Sequence, residues 1–177
     1  RKQHRGRMGH YLACFRRYRL AGLSADGVVQ LSPDRAKAQQ YAALPFRRKR
    51  GGAVEVMLVT SRETRRWIIP KGWPIKGVTP GNLAALEAME EAGLVGRISE
   101  EPVGSYRYDK KRSDGSVITC DVATFTLEVE QQMPTWPEKK ERETKWFGVD
   151  DAANAVQEPE LRDIIKKLRA LIKKARR

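Results

Sequence analysis

The sequence predicts a mixed α/β (α+β) domain in which strands and helices are interspersed. Two stretches, 53–60 and 117–129, are rich in β-branched residues, as strands are. Two others, 81–92 and 159–172, carry apolar residues that would form one packing face of a helix. The chain has 177 residues, of which 40% are hydrophobic and 32% charged, which is enough for one domain with its own core.

The first predicted element is a helix over 35–44. Ser32 has the chemistry of a helix N-cap, and Pro33 suits the first helical position. Pro45 disfavours helical backbone at the residue before it, so the helix is predicted to end there.

Turn residues divide the rest of the chain into short elements. Asp114 and Gly115 favour a hairpin between two long strands, and Gly93 suits the left-handed position that ends a helix. The stretch 71–80, rich in Gly, Pro and Lys, is predicted to be a loop. The predicted strands are 53–60, 67–69, 103–108, 117–129 and 145–149, and the remaining predicted helices are 81–92, 150–156 and an amphipathic helix from Pro159.

The net charge of +13 is concentrated at the two ends of the chain. Residues 1–50 carry 13 basic and 2 acidic residues, and residues 161–177 carry 8 basic and 1 acidic residue. Residues 51–160 are acidic overall, with 14 basic and 19 acidic residues. Basic ends can attract polyanions such as nucleic acid; solvated charge on surface helices is the alternative explanation.

We expect two regions, a basic N-terminal arm over 1–31 and a folded domain over 32–177. The arm is expected to be disordered or loosely docked, although the acid-free, arginine-rich stretch 1–19 also suits an organellar transit peptide. No apolar run approaches the roughly 18 residues that cross a bilayer, so no membrane partner is expected.

The few cysteines and histidines exclude several classes of site. Cys14 and Cys120 are too few for a disulfide framework and too far apart for a zinc knuckle, which favours free thiols in a cytoplasmic protein. His4 and His10 both lie near the N-terminus, so a histidine-based metal site or a Ser-His-Asp triad in the core is not expected.

Three carboxylates stand on one face of the helix predicted at 81–92. Glu87, Glu90 and Glu91 have the spacing i, i+3 and i+4, at which like charges repel. A divalent cation would relieve this repulsion, and Mg²⁺ prefers carboxylate oxygens and substrate phosphates as ligands. A solvated acidic face is the alternative that the spacing alone leaves open.

The residues around these carboxylates resemble the Nudix box, whose pattern is Gly, five residues, Glu, seven residues, then Arg-Glu-apolar-any-Glu-Glu-any-Gly-apolar. Two positions depart from it, since Val78 replaces the usual Glu and Leu86 replaces the usual Arg. The matching positions are Gly72, Glu87, Ala88, Glu90, Glu91, Gly93 and Leu94.

The flanking segments are similar to the diphosphoinositol polyphosphate phosphohydrolase branch of that family. Residues 58–72 look like the strand-turn-strand entry to the box, and residues 136–152 look like the exit of that branch. The resemblance covers about residues 44–170.

The resemblance implies a Nudix fold, with a mixed β-sheet sandwiched between helices, and hydrolysis of a diphosphate linkage in a small-molecule polyphosphate. It implies Mg²⁺ or Mn²⁺ as cofactor, with Glu87, Glu90, Glu91 and the carbonyl of Gly72 as ligands. Glu90 or Glu91 would also hold the attacking water and so be catalytic. In the family, the box arginine pairs with a box carboxylate, so Leu86 predicts a looser acidic cluster and weakened activity.

Further residues are candidates for substrate binding and for a base outside the box. Basic side chains near the box are predicted to bind the polyphosphate: Arg62, Arg65, Arg66, Lys71 and Lys76. A base could come from Glu138, Glu141 or Glu143, since some members of the family recruit one from this loop. The alternative function is a catalytically weak Nudix domain that binds RNA or another polyanion through its basic termini. The sequence makes no prediction of the oligomeric state.

Overall fold

The computed structural model describes residues 37–174, which form eight strands and three helices. The strands are β1 (Lys37–Arg48), β2 (Val54–Thr60), β3 (Trp67–Ile68), β4 (Lys71–Gly72), β5 (Leu94–Ile98), β6 (Gly104–Lys111), β7 (Val117–Gln132) and β8 (Thr144–Gly148). The helices are α1 (Pro80–Ala92), α2 (Val149–Ala155) and α3 (Pro159–Lys174). The predicted arm over 1–31, with Cys14, His4 and His10, lies outside the described residues.

The eight strands form one mixed sheet. Its main path runs β3-β2-β1-β7-β5, with β4 paired to β1, β6 to β7 and β8 to β2. The β1–β7 pair is parallel from Lys37 to Phe46, and every other pair among the described residues is antiparallel. The mixed sheet confirms the predicted fold class.

The helix predicted over 35–44 is wrong, because most of this stretch belongs to the central strand β1. Ala42, Ala43, Leu44 and Phe46 are all buried, so both faces of the strand are covered. A strand buried on both faces reads as a continuous apolar run without the alternation that identifies a half-exposed strand. Pairing with β2, β4 and β7 outweighs the helix preference of alanine.

The sheet lies between two layers of helix. On one face, Ala84, Ala88 and Ala92 of α1 pack with Met57 of β2 and Phe125 of β7. The opposite face is covered by buried apolar residues of α2 and α3, which pack with the alternate residues of the same strands: Ala152, Ala153, Leu161, Ile165, Leu168 and Ile172. This arrangement confirms the predicted sandwich, and among the described residues α1 is the helix that covers the first face.

Two short strands were not predicted. Lys71–Gly72 was expected to be loop but pairs with Tyr41 and Ala42 of β1. Strand β5 contains Gly96, where an added Cβ would lie 2.0 Å from the carbonyl oxygen of Glu128. A glycine that permits close backbone approach weakens the strand pattern in sequence. Within residues 37–174, no helix is long and apolar enough to span a membrane.

Candidate active site

Helix α1 presents the three predicted carboxylates in its last two turns. Thr79 is at its N-cap and Pro80 in its first turn, where a missing N–H costs nothing. Gly93 ends the helix at φ 69°, and its N–H donates to the carbonyl of Met89 at 2.9 Å. The predicted helix over 81–92 and its glycine stop are both confirmed.

Gly72 lies directly against the first of these carboxylates. Strand β4 fixes Gly72 beside β1, and the residue is buried. A Cβ atom added at Gly72 would lie 1.9 Å from Oε1 of Glu87. The structure therefore brings together two of the predicted metal ligands, in a space that only a glycine leaves open.

Arg142 binds the last carboxylate of the helix. Its Nη2 donates to Oε1 of Glu91 at 2.7 Å, and the two side chains are only 6% and 5% exposed. The same guanidinium donates to the carbonyl of Thr60 at 2.9 Å and to Oε2 of Glu138 at 2.5 Å. Arg142 was not predicted as a site residue, because it lies 51 positions from Glu91 in the chain.

The segment 133–143, which carries Arg142, is attached to the end of α1. The N–H of Glu138 donates to the carbonyl of Glu90 at 3.0 Å, and the N–H of Met133 donates to the carbonyl of Gly93 at 2.7 Å. Of the three acidic residues proposed as an outside base, Glu138 is therefore the one held at the helix end by its own backbone.

Burial and mutual repulsion make the carboxylates hard to ionise. Burial, followed by the charges of Glu90 and Glu138, raises the pKa of Glu87 to about 7. Burial also raises the pKa of Glu91, and the positive charges of Arg142 and Lys71 oppose that rise. Desolvation lowers the pKa of Lys71, and Glu91 opposes this shift. The ionised forms of Glu87 and Glu91 are therefore disfavoured, chiefly by desolvation.

The carboxylates suit a divalent cation. Oε2 of Glu91 is buried and has no hydrogen-bond partner, an expensive arrangement for a carboxylate. Carboxylate and main-chain carbonyl oxygens, as Glu87, Glu91 and Gly72 offer, are the ligands that Mg²⁺ prefers. Within residues 37–174, no three His, Cys, Asp or Glu side chains are close enough together to hold a metal ion. Binding of a cation would therefore draw the carboxylates closer together.

The three arginines predicted to bind substrate are engaged with acidic partners. Nη1 of Arg62 lies 3.4 Å from a carboxylate oxygen of Glu141, and Nη2 of Arg65 lies 2.5 Å from one of Glu143. Nη1 of Arg66 donates to Gln157 at 2.8 Å and lies 3.3 Å from Glu158. Arg62 and Arg65 thus tie the β2–β3 turn to the segment 133–143, and a role in substrate binding stays a prediction.

The two predicted lysines, Lys71 and Lys76, flank an exposed tryptophan in the sequence. Nζ of Lys71 lies 5.0 Å from the ring centroid of Tyr108, and Lys76 is exposed in the loop before α1. Trp73 directly follows Gly72, is 41% exposed, and has Nζ of Lys110 at 5.1 Å from its ring. Trp73 was not among the predicted site residues; its place next to the first box glycine is the signal that could have identified it.

The fold and the site define a class of domain in which a buried glycine and an acidic helix gather carboxylates beside a mixed sheet. A family model described as the NUDIX domain matches residues 38–168, from β1 into α3. The chain therefore belongs to the Nudix family, as the box residues indicated.

Named relatives agree with this assignment. Nudix hydrolase 21, chloroplastic, of Arabidopsis thaliana is 32% identical over 132 residues, covering 72% of this chain and 64% of that protein. Diphosphoinositol polyphosphate phosphohydrolase 3-beta of Homo sapiens is 30% identical over 122 residues, covering 67% of this chain and 69% of that protein. The match spans half to two thirds of the length of five Arabidopsis Nudix relatives, between 50% and 65%.

Solved structures share the fold. An Ap4A hydrolase of C. elegans, crystallised as a binary complex, superposes with a TM-score of 0.58 at 19% identity, covering 77% of this chain and 98% of that one. At this identity the likeness concerns the fold alone, and it confirms the Nudix fold that the sequence resemblance implied.

Proposed function

We propose that this chain hydrolyses a diphosphate linkage in a highly anionic substrate and depends on a divalent metal ion. The observation that carries the proposal is Glu91, a buried carboxylate whose Oε2 has no hydrogen-bond partner. Glu87 and Glu90 stand on the same helix face, and Gly72 lies against Glu87. The names of the relatives, Nudix hydrolases and a diphosphoinositol polyphosphate phosphohydrolase, support the same reaction class.

The proposal gives each residue of the site a role. Glu87, Glu90, Glu91 and the carbonyl of Gly72 would hold Mg²⁺ or Mn²⁺. When bound, such an ion polarises phosphate oxygens and makes a coordinated water more acidic. Glu90 or Glu91 would orient the attacking water towards phosphorus and accept its proton. The water's oxygen forms a new bond to phosphorus, and the bridging oxygen leaves with the second phosphate.

Glu138 is the best placed residue for a base outside the helix. Its backbone is bonded to Glu90, and its charge raises the pKa of Glu87. Its own carboxylate binds Arg142, so it would accept a proton only when that contact loosens. Glu141 and Glu143 instead pair with Arg62 and Arg65 at the exposed turn.

The surroundings favour a substrate with many negative charges. Lys71 and Lys76 flank the box glycine, and Lys110 lies beside Trp73. Positive side chains near a transferring phosphoryl group offset the charge that develops on it. The candidate substrates are a diphosphoinositol polyphosphate, a dinucleoside polyphosphate or a nucleoside diphosphate derivative.

A substrate panel tests the proposal. Release of phosphorylated products from these three classes is measured by chromatography with Mg²⁺, with Mn²⁺ and with chelator, for the wild type, Glu90→Gln and the exposed-turn control Glu63→Gln. We expect metal-dependent release by the wild type and the control, and a loss of at least about a hundredfold in Glu90→Gln. Steeply salt-dependent RNA binding that Glu90→Gln leaves unchanged, without release from any substrate, would favour the polyanion-binding alternative.

A further inference from the structure

We propose that Arg142 is a positioning residue that holds Glu91 in the orientation needed for metal binding. The inference rests on the proposed function and adds a residue outside the helix to its machinery. Nη2 of Arg142 donates to Oε1 of Glu91 at 2.7 Å, while Oε2 of Glu91 is buried without a hydrogen-bond partner. One oxygen is thus fixed by the protein, and the other is left for a cation.

Three separate parts of the chain anchor the guanidinium. It bonds to the carbonyl of Thr60 at the end of β2, to Glu138 in the segment 133–143, and to Glu91 on α1. The planar fork of arginine can satisfy several acceptors at once in a fixed geometry, which the single ammonium of lysine cannot do. Because the side chain is only 6% exposed, its conformation is determined by these contacts rather than by solvent.

No residue of α1 could provide this contact. The helix contains neither lysine nor arginine, and Leu86 occupies the position where the box pattern has arginine. Lys71 is the other cation whose charge acts on Glu91, but its ammonium lies against the ring of Tyr108. The charge-assisted bond to Glu91 therefore comes from the segment 133–143. Arg142 would replace the arginine that the box pattern has at the position of Leu86.

Losing the arginine should impair the metal site before it unfolds the domain. Without the guanidinium, the carboxylate of Glu91 loses the bond that fixes Oε1, so the side chain can turn and Oε2 no longer stays in place for a cation. Removing a hydrogen-bond partner that orients a metal-ligating side chain typically lowers metal affinity or activity by about ten- to a hundredfold.

The test compares Arg142→Gln and Arg142→Lys with a matched control, Arg107→Gln. Arg107 also pairs with a carboxylate, Asp121, but on the exposed hairpin β6–β7, away from the acidic helix. Three quantities are measured for each full-length variant: the dissociation constant of Mn²⁺ by electron paramagnetic resonance, kcat and KM for a hydrolysed substrate with Mg²⁺, and the melting temperature. All activities are measured well below the lowest melting temperature.

We expect Arg142→Gln to weaken Mn²⁺ binding at least about tenfold and to lower kcat about a hundredfold, with KM changed less than about threefold. Arg142→Lys keeps the charge but loses the fork, so it should recover part of both losses. It also keeps the inference testable if the glutamine variant fails to fold. Arg107→Gln should match the wild type in Mn²⁺ affinity and kcat.

The inference is overturned if folded Arg142 variants have the same Mn²⁺ dissociation constant and kcat as Arg107→Gln. A lower melting temperature alone would not support it, because the contact would then be structural only. In that case wild-type hydrolysis still supports the proposed function. If the wild type hydrolyses no substrate, the proposed function fails instead, and the Mn²⁺ affinities alone decide whether Arg142 positions Glu91.

Discussion

The ring of Trp136 lies directly over Gly93, the residue that ends the acidic helix. A Cβ atom added at Gly93 would lie 2.5 Å from Cε3 of Trp136, and the backbone there is left-handed, at φ 69°. The segment that carries Arg142 and Glu138 is therefore seated on the end of the helix by an aromatic ring. A change at this contact should disturb both the fold and the site.

We expect Gly93→Ala to lower the free energy of unfolding by roughly 2–3 kcal/mol. About 1 kcal/mol comes from left-handed backbone that alanine disfavours, and the rest comes from displacing the ring. Urea unfolding measures the loss. Gly51→Ala is the matched control: at φ 91° it has nothing within 4 Å of an added Cβ, so it should lose only the conformational part. Equal losses in the two variants would show that the ring does not matter.

Gly72→Ala should impair metal binding more than stability. The atoms that an added Cβ would meet belong to the flexible side chain of Glu87, so the carboxylate can turn away while the backbone stays in place. We expect Mn²⁺ affinity and turnover to fall at least about tenfold, with a loss of stability near 1 kcal/mol or below.

The control for that variant is Gly81→Ala, in the first turn of the same helix. Its added Cβ would meet neighbours at 3.5 Å or more, which is ordinary contact. Alanine favours helix over glycine by up to about 1 kcal/mol, so this variant should be at least as stable as the wild type and equally active. Unchanged Mn²⁺ binding in Gly72→Ala would contradict the close approach of Gly72 and Glu87.

The metal-free protein should become less stable as the pH rises from about 4.5 to about 7. Burial and the neighbouring carboxylates raise the pKa of Glu87 from 4.5 to about 7. The folded state then binds more protons than the unfolded state between these values, so the free energy of unfolding falls with rising pH. The contribution of Glu87 is on the order of 2 kcal/mol once its partial exposure is taken into account.

Urea unfolding in chelator at pH 5 and pH 7 measures this dependence. Glu87→Gln cannot ionise and should lose part of the slope, whereas Glu63→Gln, in an exposed turn, should keep it. The same slope in Glu87→Gln as in the wild type would mean that Glu87 ionises freely in the folded protein.

Trp73 should separate two of the candidate substrate classes. A nucleobase can stack on an exposed indole, a contact worth about 1–3 kcal/mol per base, whereas an inositol ring has no aromatic face. Trp73→Ala should therefore raise KM for a dinucleoside polyphosphate about tenfold and leave KM for a diphosphoinositol polyphosphate nearly unchanged. Equal effects on both substrates would remove Trp73 as a determinant of the leaving group.

Local patterns predicted α1, the hairpin β6–β7 and the amphipathic helix α3, because caps, turns and periodicity depend on residues that are close in sequence. They failed at β1, where Ser32, Pro33 and Pro45 indicated the ends of a helix, whereas pairing with residues as distant as Phe125 makes the stretch a strand. The identity of a central strand depends on pairing that a local pattern cannot express.

The candidate site also contains residues that the sequence predicted and one that it did not. The spacing of Glu87, Glu90 and Glu91 along one helix was visible in sequence, and so was the absence of the box arginine at Leu86. The arginine that contacts Glu91 was not visible, since only the folded chain brings the segment 133–143 against α1.

The most direct test of the central claim is hydrolysis in water enriched in ¹⁸O, followed by mass analysis of the phosphorylated products. With Mg²⁺ and a diphosphate substrate that the wild type consumes, we predict one ¹⁸O atom bonded to phosphorus per cleavage, and no labelled product above background from Glu90→Gln. Label bonded to carbon, or equal labelled product from the wild type and Glu90→Gln, would contradict water attack on phosphorus directed by the carboxylates of this helix.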